Sequence, residues 1–177
     1  NIPKVGYMIS SEARIEALTA STSEMPEDVT PFVGRGNEIS LIQGSLSPSR
    51  VITLTGPPGV GKSRLAREAV RSLSHTFSSG IHFVDLTSVE DGQYVPRAVL
   101  SSFDLPDSHE LDLKESFSKF FGERSVAIII DNCEHVVESA SKVIEVLVGA
   151  GRNVYVIATS REPLQLPGMP ARRQVQH

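Results

Sequence analysis

The stretch Gly56-Pro57-Pro58-Gly59-Val60-Gly61-Lys62-Ser63 fits the phosphate-loop pattern G-x-x-x-x-G-K-[ST] at every position. The apolar, β-branched run 51–55 precedes it and predicts a buried strand. Residues 62–73 follow it with apolar side chains at helical spacing. A strand, a glycine loop and a helix aim backbone N–H groups and a helix N-terminus at one point, which suits a polyphosphate. The stretch therefore predicts a phosphate site, and the alternative is a glycine-rich turn without a ligand.

The residue types inside this stretch indicate how phosphates are held. Glycines are needed because side chains would block the approach of a phosphate and because some loop residues need positive φ. Lys62 is expected to reach the β- and γ-phosphates, and the Ser63 hydroxyl is expected to complete the shell of a Mg²⁺ ion. The predicted nucleotide contacts of the loop and the first helical turn come from Gly56, Gly59, Val60, Gly61, Lys62, Ser63 and Arg64.

Composition limits the class of protein. The chain has 177 residues, of which 40% are hydrophobic, so it can bury the core of one domain. Its net charge of −4 argues against a nucleic-acid surface in these residues. No apolar run approaches the roughly 20 residues of a membrane span, and the single Cys133 fits a reducing compartment. We therefore expect a cytoplasmic domain that binds neither nucleic acid nor membrane directly.

The chain divides into three parts. Residues 1–30 are expected to form an N-terminal extension or linker, because they are rich in Ser, Thr, Glu and Pro towards their end. Residues 31–170 predict an α/β domain, because strands alternating with helices give a mainly parallel sheet covered on both faces, a three-layer sandwich. Residues 171–177 predict a C-terminal tail. Since the chain begins at Asn1 rather than Met, we expect a fragment or a processed chain.

Polar residues follow a central strand, at the sheet edge where ligands of such folds bind. Asp131 closes the apolar run 125–130, where a carboxylate can hold Mg²⁺ directly or through water. The alternative is an ordinary strand-end Asp that caps the next helix. Asn132 stands where many vigorous NTPases have an acid that orients the attacking water, and an amide cannot serve as a base. The predicted metal ligands are therefore Ser63 and Asp131, and hydrolysis is expected to be slow.

Two further residues are candidates for catalysis. Glu134 is a candidate substitute for the acid absent at position 132, or it only favours the helix N-terminus electrostatically. Arg161 follows the last strand, where a guanidinium can hydrogen-bond a γ-phosphate. The alternative for Arg161 is a salt bridge with Glu162 or another carboxylate. The candidate catalytic residues are thus Lys62, Asp131, Glu134 and Arg161.

A Cys two residues before a His, here Cys133 and His135, raises the hypothesis of a thiol nucleophile. Residues two apart on a helix do not face each other, and no third orienting group is evident. The predicted role of Cys133 is therefore packing.

Five motifs occur in the order typical of one family. They are Phe32-Val33-Gly34-Arg35, the loop Gly56 to Ser63 followed by Arg64-Leu65-Ala66, Phe83-Val84-Asp85-Leu86, Ile130-Asp131-Asn132-Cys133-Glu134-His135, and Ala158-Thr159-Ser160-Arg161-Glu162-Pro163-Leu164. On these motifs the chain, from about residue 30 to 168, resembles the nucleotide-binding domain of STAND-class NTPases, a relative of the NB-ARC domain. It is similar in particular to the branch found in AfsR-like and LuxR-like bacterial transcriptional regulators.

The resemblance implies an ATP/ADP switch whose nucleotide state controls the assembly or output of attached domains. It also implies the strand order 5-1-4-3-2. The residue roles that it implies are adenine contact for Val33 and Arg35, phosphate and Mg²⁺ contact for Lys62 and Ser63, Mg²⁺ contact for Asp131, and a sensor role for Arg161 after the fourth strand.

The chain departs from the family pattern at its end. It stops soon after Pro170, so the fifth strand and the lid domains of the family are expected to be missing. In the implied order, the strand 51–55 pairs with 153–158 on one side and is then an open sheet edge on the other. We expect the unpaired backbone groups of that edge to be covered, either by self-association or by residues 5–9 folding back onto it.

The leading functional hypothesis is an ATP/ADP-binding regulatory module of a signal-transduction or transcriptional regulator, with slow Mg²⁺-dependent hydrolysis. An active ATPase or motor of the AAA+ type is the main alternative, and it predicts an acid at position 132, which is Asn. A GTPase would select guanine with an N/T-K-x-D segment, which is not present. A small-molecule kinase would need a phosphoacceptor site that the sequence does not display. Expected partners are the nucleotide and, in the full-length protein, attached regulatory domains or further copies of the chain.

Overall fold

Five strands form one sheet in the computed structural model, which describes residues 34–105, 112–164, 166 and 174–176. The strands are β1 (Val51–Thr55), β2 (Ile81–Asp85), β3 (Val126–Asp131), β4 (Val154–Ser160) and β5 (Gln174–Gln176). The order is β2-β3-β4-β1-β5, and all neighbours are parallel. This is the implied order 5-1-4-3-2 counted from the other edge.

The helices lie between the strands in sequence and carry the apolar spacing that predicted them. In the helix Lys62–Arg71, for example, Leu65, Ala66, Ala69 and Val70 are buried along one face. Short 3₁₀ turns at 74–76, 92–94 and 133–135 complete the connections. The helices are α1 (Gly36–Ser49), α2 (Lys62–Arg71), α3 (Val95–Ser101), α4 (Leu113–Phe121) and α5 (Val137–Ala150).

The core has two halves, one on each face of the sheet. All six residues of β3 are buried, and they alternate between the faces. Ile128 and Ile130 pack in the cluster that contains the buried side chains of α3, α4 and α5. Ala127 and Ile129 pack in the cluster that contains those of α1 and α2. The predicted three-layer α/β sandwich is therefore confirmed.

The prediction of a missing fifth strand is wrong. Gln174–Gln176 forms β5 and pairs in parallel with β1, with Thr53 opposite Gln174 and Thr55 opposite Gln176. Residues 171–177 are polar and few, so their sequence alone does not predict a strand. Strand pairing, however, uses backbone N–H and C=O groups, which glutamines supply as well as apolar residues do. β1 is accordingly an inner strand, paired with β4 as predicted and with β5 on its other side.

Some predictions fall outside the described residues. They include the extension 1–30, the segment 5–9 that was expected to fold back, and Val33. Within the parts of the chain that the structure describes, no helix has the length and apolar character needed to cross a membrane.

Candidate nucleotide site

The phosphate-loop stretch connects β1 directly to α2. β1 ends at Thr55, and α2 begins at Lys62. Gly59 and Gly61 have φ of 79° and 83°, in the left-handed region that residues with a Cβ rarely adopt. Glycine at positions 59 and 61 is therefore needed for the backbone path of the loop, in agreement with the expectation that some loop residues have positive φ.

Lys62 crosses back over the loop that precedes it. Its Nζ donates hydrogen bonds to the carbonyl oxygens of Gly56 (2.9 Å) and Pro57 (3.0 Å). An ammonium group has three donors, so these two contacts leave capacity for another acceptor. The positive charge of Lys62 thus lies at the loop, where a bound phosphate would need it.

The two predicted metal ligands lie together at the carboxyl end of β3. Ser63 Oγ donates a hydrogen bond of 2.7 Å to Asp131 Oδ1. The side chain of Asp131 is buried, with 5% of the residue exposed. A hydroxyl and one carboxylate are the hard oxygen donors that Mg²⁺ takes together with substrate phosphates. In the described part of the chain, no group of three His, Cys, Asp or Glu residues could hold a metal ion, so this donor set fits Mg²⁺ only in company with phosphates.

Thr159 is a site residue that sequence reasoning missed. It lies in β4 beside β3, and its buried hydroxyl donates to the same Asp131 Oδ1 that accepts from Ser63. The backbone N–H of Asn132 donates to Thr159 Oγ1 at 3.1 Å. Thr159 therefore fixes the orientation of Asp131 and joins β4 to the loop after β3. Its position directly after the apolar run 153–158 was the available signal.

Arg35, predicted near adenine, contacts the phosphate loop. Its Nη1 donates to the carbonyl oxygen of Val60 at 2.9 Å, and its Nε lies 2.7 Å from Glu38 Oε2. A Cβ at Gly61 would lie 3.5 Å from Arg35 Nη1, so the guanidinium packs close against the loop backbone. The adenine contact of Arg35 stays a prediction. Arg64 lies in the first turn of α2, directly after Ser63, with a half-buried side chain.

Glu134 and Arg161 form an ion pair. Arg161 Nε lies 2.9 Å from Glu134 Oε1, and 58% of the arginine side chain is exposed. The salt bridge that the sequence offered as the alternative for Arg161 is thus present, with Glu134 rather than Glu162 as its partner. The pairing also occupies the carboxylate that was the candidate substitute for an acid at position 132. The sensor role of Arg161 stays a prediction.

Cys133 is a buried residue of the core. Burial, followed by the charges of Asp131 and Glu134, raises the pKa of the Cys133 thiol to about 12. The Sγ atom lies 3.5 Å from the carbonyl oxygen of Ile130. His135 Nε2 contacts the carbonyl oxygen of Val89 at 2.8 Å. A protonated, buried thiol is a poor nucleophile, in agreement with the predicted packing role.

A second polar cluster, also missed from the sequence, lies beside Asp131. Asp85 closes β2 and is the register partner of Asp131 in β3. Asp85 Oδ1 accepts hydrogen bonds from the backbone N–H (2.9 Å) and hydroxyl (2.5 Å) of Thr87 and from Asn132 Nδ2 (3.0 Å). Burial raises the pKa of Asp85, but these hydrogen bonds from Thr87 and Asn132 outweigh it and hold the pKa below its usual value.

The sheet order and the phosphate loop together define a P-loop NTPase domain. A family model described as an AAA domain matches residues 46–166. The chain belongs to this AAA domain family.

Curated relatives are considerably longer than the chain. An uncharacterized protein of Mycobacterium tuberculosis is 32% identical over 140 residues, which are 79% of this chain and 36% of that protein. Another protein of the same species, named "Putative HTH-type transcriptional regulator", is 34% identical over 123 residues, or 70% of this chain and 14% of that protein. The chain therefore corresponds to a minor part of the length of each relative.

Solved structures share the fold. Cdc6p from Pyrobaculum aerophilum has a TM-score of 0.58 at 12% identity, covering 91% of this chain and 48% of that one. A STAND protein with a tetratricopeptide repeat sensor from Pyrococcus horikoshii has a TM-score of 0.57 at 23% identity, covering 81% and 23%. These similarities show a shared fold, and the family rests on the AAA domain match. The NB-ARC-like and AfsR-like branch stays a prediction.

Proposed function

We propose that this domain is an ATP/ADP-binding regulatory switch module of a longer signal-transduction or transcriptional regulator, with slow Mg²⁺-dependent hydrolysis. The observation that carries the proposal is the hydrogen bond between Ser63 Oγ and Asp131 Oδ1 beside the phosphate loop. This bond joins the hydroxyl and the carboxylate that a Mg²⁺–phosphate complex needs. The neighbouring residue, Asn132, carries an amide rather than an acid, which favours slow hydrolysis.

The nucleotide would be held by the loop backbone, by Lys62 and, through Mg²⁺, by two further side chains. The N–H groups at the start of α2 suit the phosphates, and Lys62 would exchange a carbonyl contact for a phosphate oxygen. Ser63 and Asp131 would hold Mg²⁺, while Thr159 keeps the Asp131 carboxylate oriented. A Mg²⁺ ion held by these two side chains would supply positive charge that neutralises the charge developing on the phosphates.

The side chains around Asp131 favour slow turnover. Asn132 uses its amide N–H₂ to bind Asp85 and Thr87, and Glu134 is engaged by Arg161. The two positions first considered for a water-activating acid therefore offer an amide and a paired carboxylate. Slow turnover suits a switch, since the lifetime of the ATP state is then long enough to be read by attached domains. The relative named as a transcriptional regulator supports such a setting.

An active AAA+ ATPase or motor is the second candidate, because the AAA domain match fits it as well. The two functions differ in turnover rather than in binding. A motor is expected to hydrolyse ATP near or above the ~10 s⁻¹ median of enzymes, and a switch well below it.

Titration calorimetry and steady-state turnover test the proposal together. The parent should bind Mg²⁺-ATP or ADP, and Lys62→Ala should weaken binding about tenfold to a hundredfold, because charge-assisted hydrogen bonds contribute about 1.5–3 kcal/mol. The matched control is Lys142→Ala, which removes an exposed lysine paired with Glu138 on the surface of α5. Equal affinity in the Lys62 variant and the parent contradicts the site, and rapid turnover by the parent favours the motor.

A further inference from the structure

Hydrolysis at a phosphate loop needs a group that orients the attacking water, and both positions suggested by the sequence are engaged by other side chains. Asn132 offers an amide, whose N–H₂ is bound to Asp85 and Thr87. Glu134 is held by Arg161 at 2.9 Å. Transition states of phosphoryl transfer are loose, so positioning of the water matters more than strong basicity. A carboxylate that accepts a hydrogen bond from water is enough.

Asp85 is such a carboxylate, next to the metal-ligand pair. It ends β2 in register with Asp131 at the end of β3, and neighbouring strands lie about 4.8 Å apart. Both side chains are therefore at the carboxyl edge of the sheet, where the phosphate loop also lies. Asp131 is buried, whereas Asp85 is exposed to solvent. Of the two, Asp85 is thus the one that water reaches.

The Asp85 carboxylate is held in one orientation but keeps acceptor capacity. The contacts from Thr87 and Asn132 all go to its Oδ1 atom. An ionised carboxylate has about four acceptor sites on two oxygens, so Oδ2 can accept from a water. Hydrogen bonds to Oδ1 favour the ionised form, and they hold the pKa of Asp85 below its usual value although burial raises it.

Asn132 connects Asp85 with Asp131. Its backbone is in the left-handed region, with φ 62° and ψ 48°, and its N–H is bound to Thr159 at 3.1 Å. Its Nδ2 lies 3.0 Å from Asp85 Oδ1 and 3.4 Å from Asp131 Oδ2. An N–H₂ group between two carboxylates offsets their repulsion. An acid at position 132 would increase the repulsion among these carboxylates.

We propose that Asp85 is a catalytic residue of this domain, whose carboxylate accepts a hydrogen bond from the attacking water, and that Asn132 is its positioning residue. The inference rests on the ATP hydrolysis of the proposed function. The water oxygen forms a bond to the γ-phosphorus while the bond between that phosphorus and the bridging oxygen breaks. ADP leaves with the electron pair, and the water proton leaves with the inorganic phosphate.

Three variants of the full chain test the assignment by single-turnover hydrolysis of Mg²⁺-ATP and by ATP affinity. Asp85→Asn keeps the shape but removes the charge. The exchange variant, Asp85→Asn with Asn132→Asp, reverses donor and acceptor across the same hydrogen bond and returns a carboxylate to the same edge. The matched control is Asp112→Asn, because Asp112 also accepts from a backbone N–H two residues ahead, at 3.0 Å from Lys114 N, but at the start of α4.

Asp85→Asn should lower the rate constant at least about tenfold and leave ATP affinity within about threefold of the parent. The control should match the parent in both measurements, and the exchange variant should recover most of the rate. A parental rate in Asp85→Asn, or an equal loss of rate and affinity, overturns the catalytic role. An exchange variant that binds ATP but stays slow overturns the positioning role of Asn132.

Failure of the proposed function has a different signature. A parent that binds no nucleotide removes both proposals. A parent that binds ATP but leaves it intact overturns the role of Asp85 while leaving nucleotide binding in place. If the parent and Asp85→Asn hydrolyse ATP at the same rate, the role of Asp85 alone is overturned.

Discussion

Arg161 is predicted to sense the γ-phosphate, and its Nε lies 2.9 Å from Glu134 Oε1. Because ADP lacks that phosphate, Arg161→Ala should weaken ATP binding about tenfold and leave ADP binding unchanged, as loss of one charge-assisted hydrogen bond predicts. Titration calorimetry with both nucleotides measures the difference. The control is Arg71→Ala, an exposed arginine paired with Glu68 at the end of α2. Equal effects on ATP and ADP would leave Arg161 as a surface ion pair only.

Cys133 gives a prediction that depends on pH. Its pKa of about 12 leaves about one thiolate in a thousand at pH 9, against about half for an unfolded thiol with the ordinary value of 9.0. The raised pKa stabilises the fold below pH 9, and this contribution is lost as the pH rises towards 12. Labelling by a thiol reagent at pH 9 should therefore be at least about a hundredfold slower in the native chain than in denaturant.

The label reports directly on the core, since Cys133 is the single cysteine of the chain. The denatured protein is the control for reagent activity. Native labelling at the denatured rate would mean that the thiol is neither buried nor protonated, and it would reopen the nucleophile hypothesis.

At the level of single residues, the sequence predicted what depends on local spacing. Lys62 and Ser63 belong to one continuous pattern, and Asp131 follows an apolar run. Asp85 and Thr159 lie in motifs that the sequence singles out, but their roles were missed because these roles depend on which strands are neighbours. β2 lies beside β3, and β4 lies on the other side. Strand registers of this kind join residues far apart in sequence, and no short pattern contains them.

Arg50 connects two elements in a way that stabilises the end of α5. Its Nη1 donates to the carbonyl oxygens of Val148 (3.1 Å) and Gly151 (2.9 Å) at the helix C-terminus. The last carbonyls of a helix lack partners within the helix, and a cation there also interacts favourably with the helix dipole. Arg50 thus joins the loop before β1 to the helix that precedes β4.

Arg50→Ala should lower the free energy of unfolding by about 1.5–3 kcal/mol, the contribution of hydrogen bonds to a charged group. Urea denaturation monitored by circular dichroism measures it. Arg152→Ala, which removes an exposed arginine from the next loop, should change stability by less than about 0.5 kcal/mol. Arg50→Gly separates the loss of the hydrogen bonds from the backbone strain at this position. The φ of Arg50 is 53°, and glycine relieves that strain. Equal stability of the alanine variants at 50 and 152 would contradict the capping role.

At the level of elements, apolar periodicity predicted the buried strands and the amphipathic helices. β3 is buried along its whole length and α5 carries a continuous apolar face, so both can be predicted from the apolar pattern of the sequence. The sequence of β5 has no such apolar pattern, since Gln174 and Gln176 flank a single Val175. Its stability as a strand comes from the neighbour that it pairs with, which is a property of the assembled sheet.

The whole molecule depends on β5 for closing one side of β1. β1 carries the phosphate loop at its carboxyl end, and β5 pairs with its residues 53–55. Removal of residues 171–177 would expose unpaired N–H and C=O groups of an apolar strand, which invite another chain. The truncated chain should therefore associate with increasing concentration, and amides in β1 should exchange faster, whereas the intact chain should show neither behaviour at that edge.

Point variants decide whether the backbone alone carries this closure. Because pairing uses backbone groups, replacing Gln174 and Gln176 with threonine should keep the slow hydrogen exchange of residues 53–55. Proline at the same two positions removes N–H donors and should speed exchange on the β1 amides that face β5, with association seen by light scattering. The threonine and proline variants change the same side chains and differ in the backbone donor. Equal exchange in both would show that β5 does not protect β1, and that the edge of the phosphate-loop strand is closed in another way.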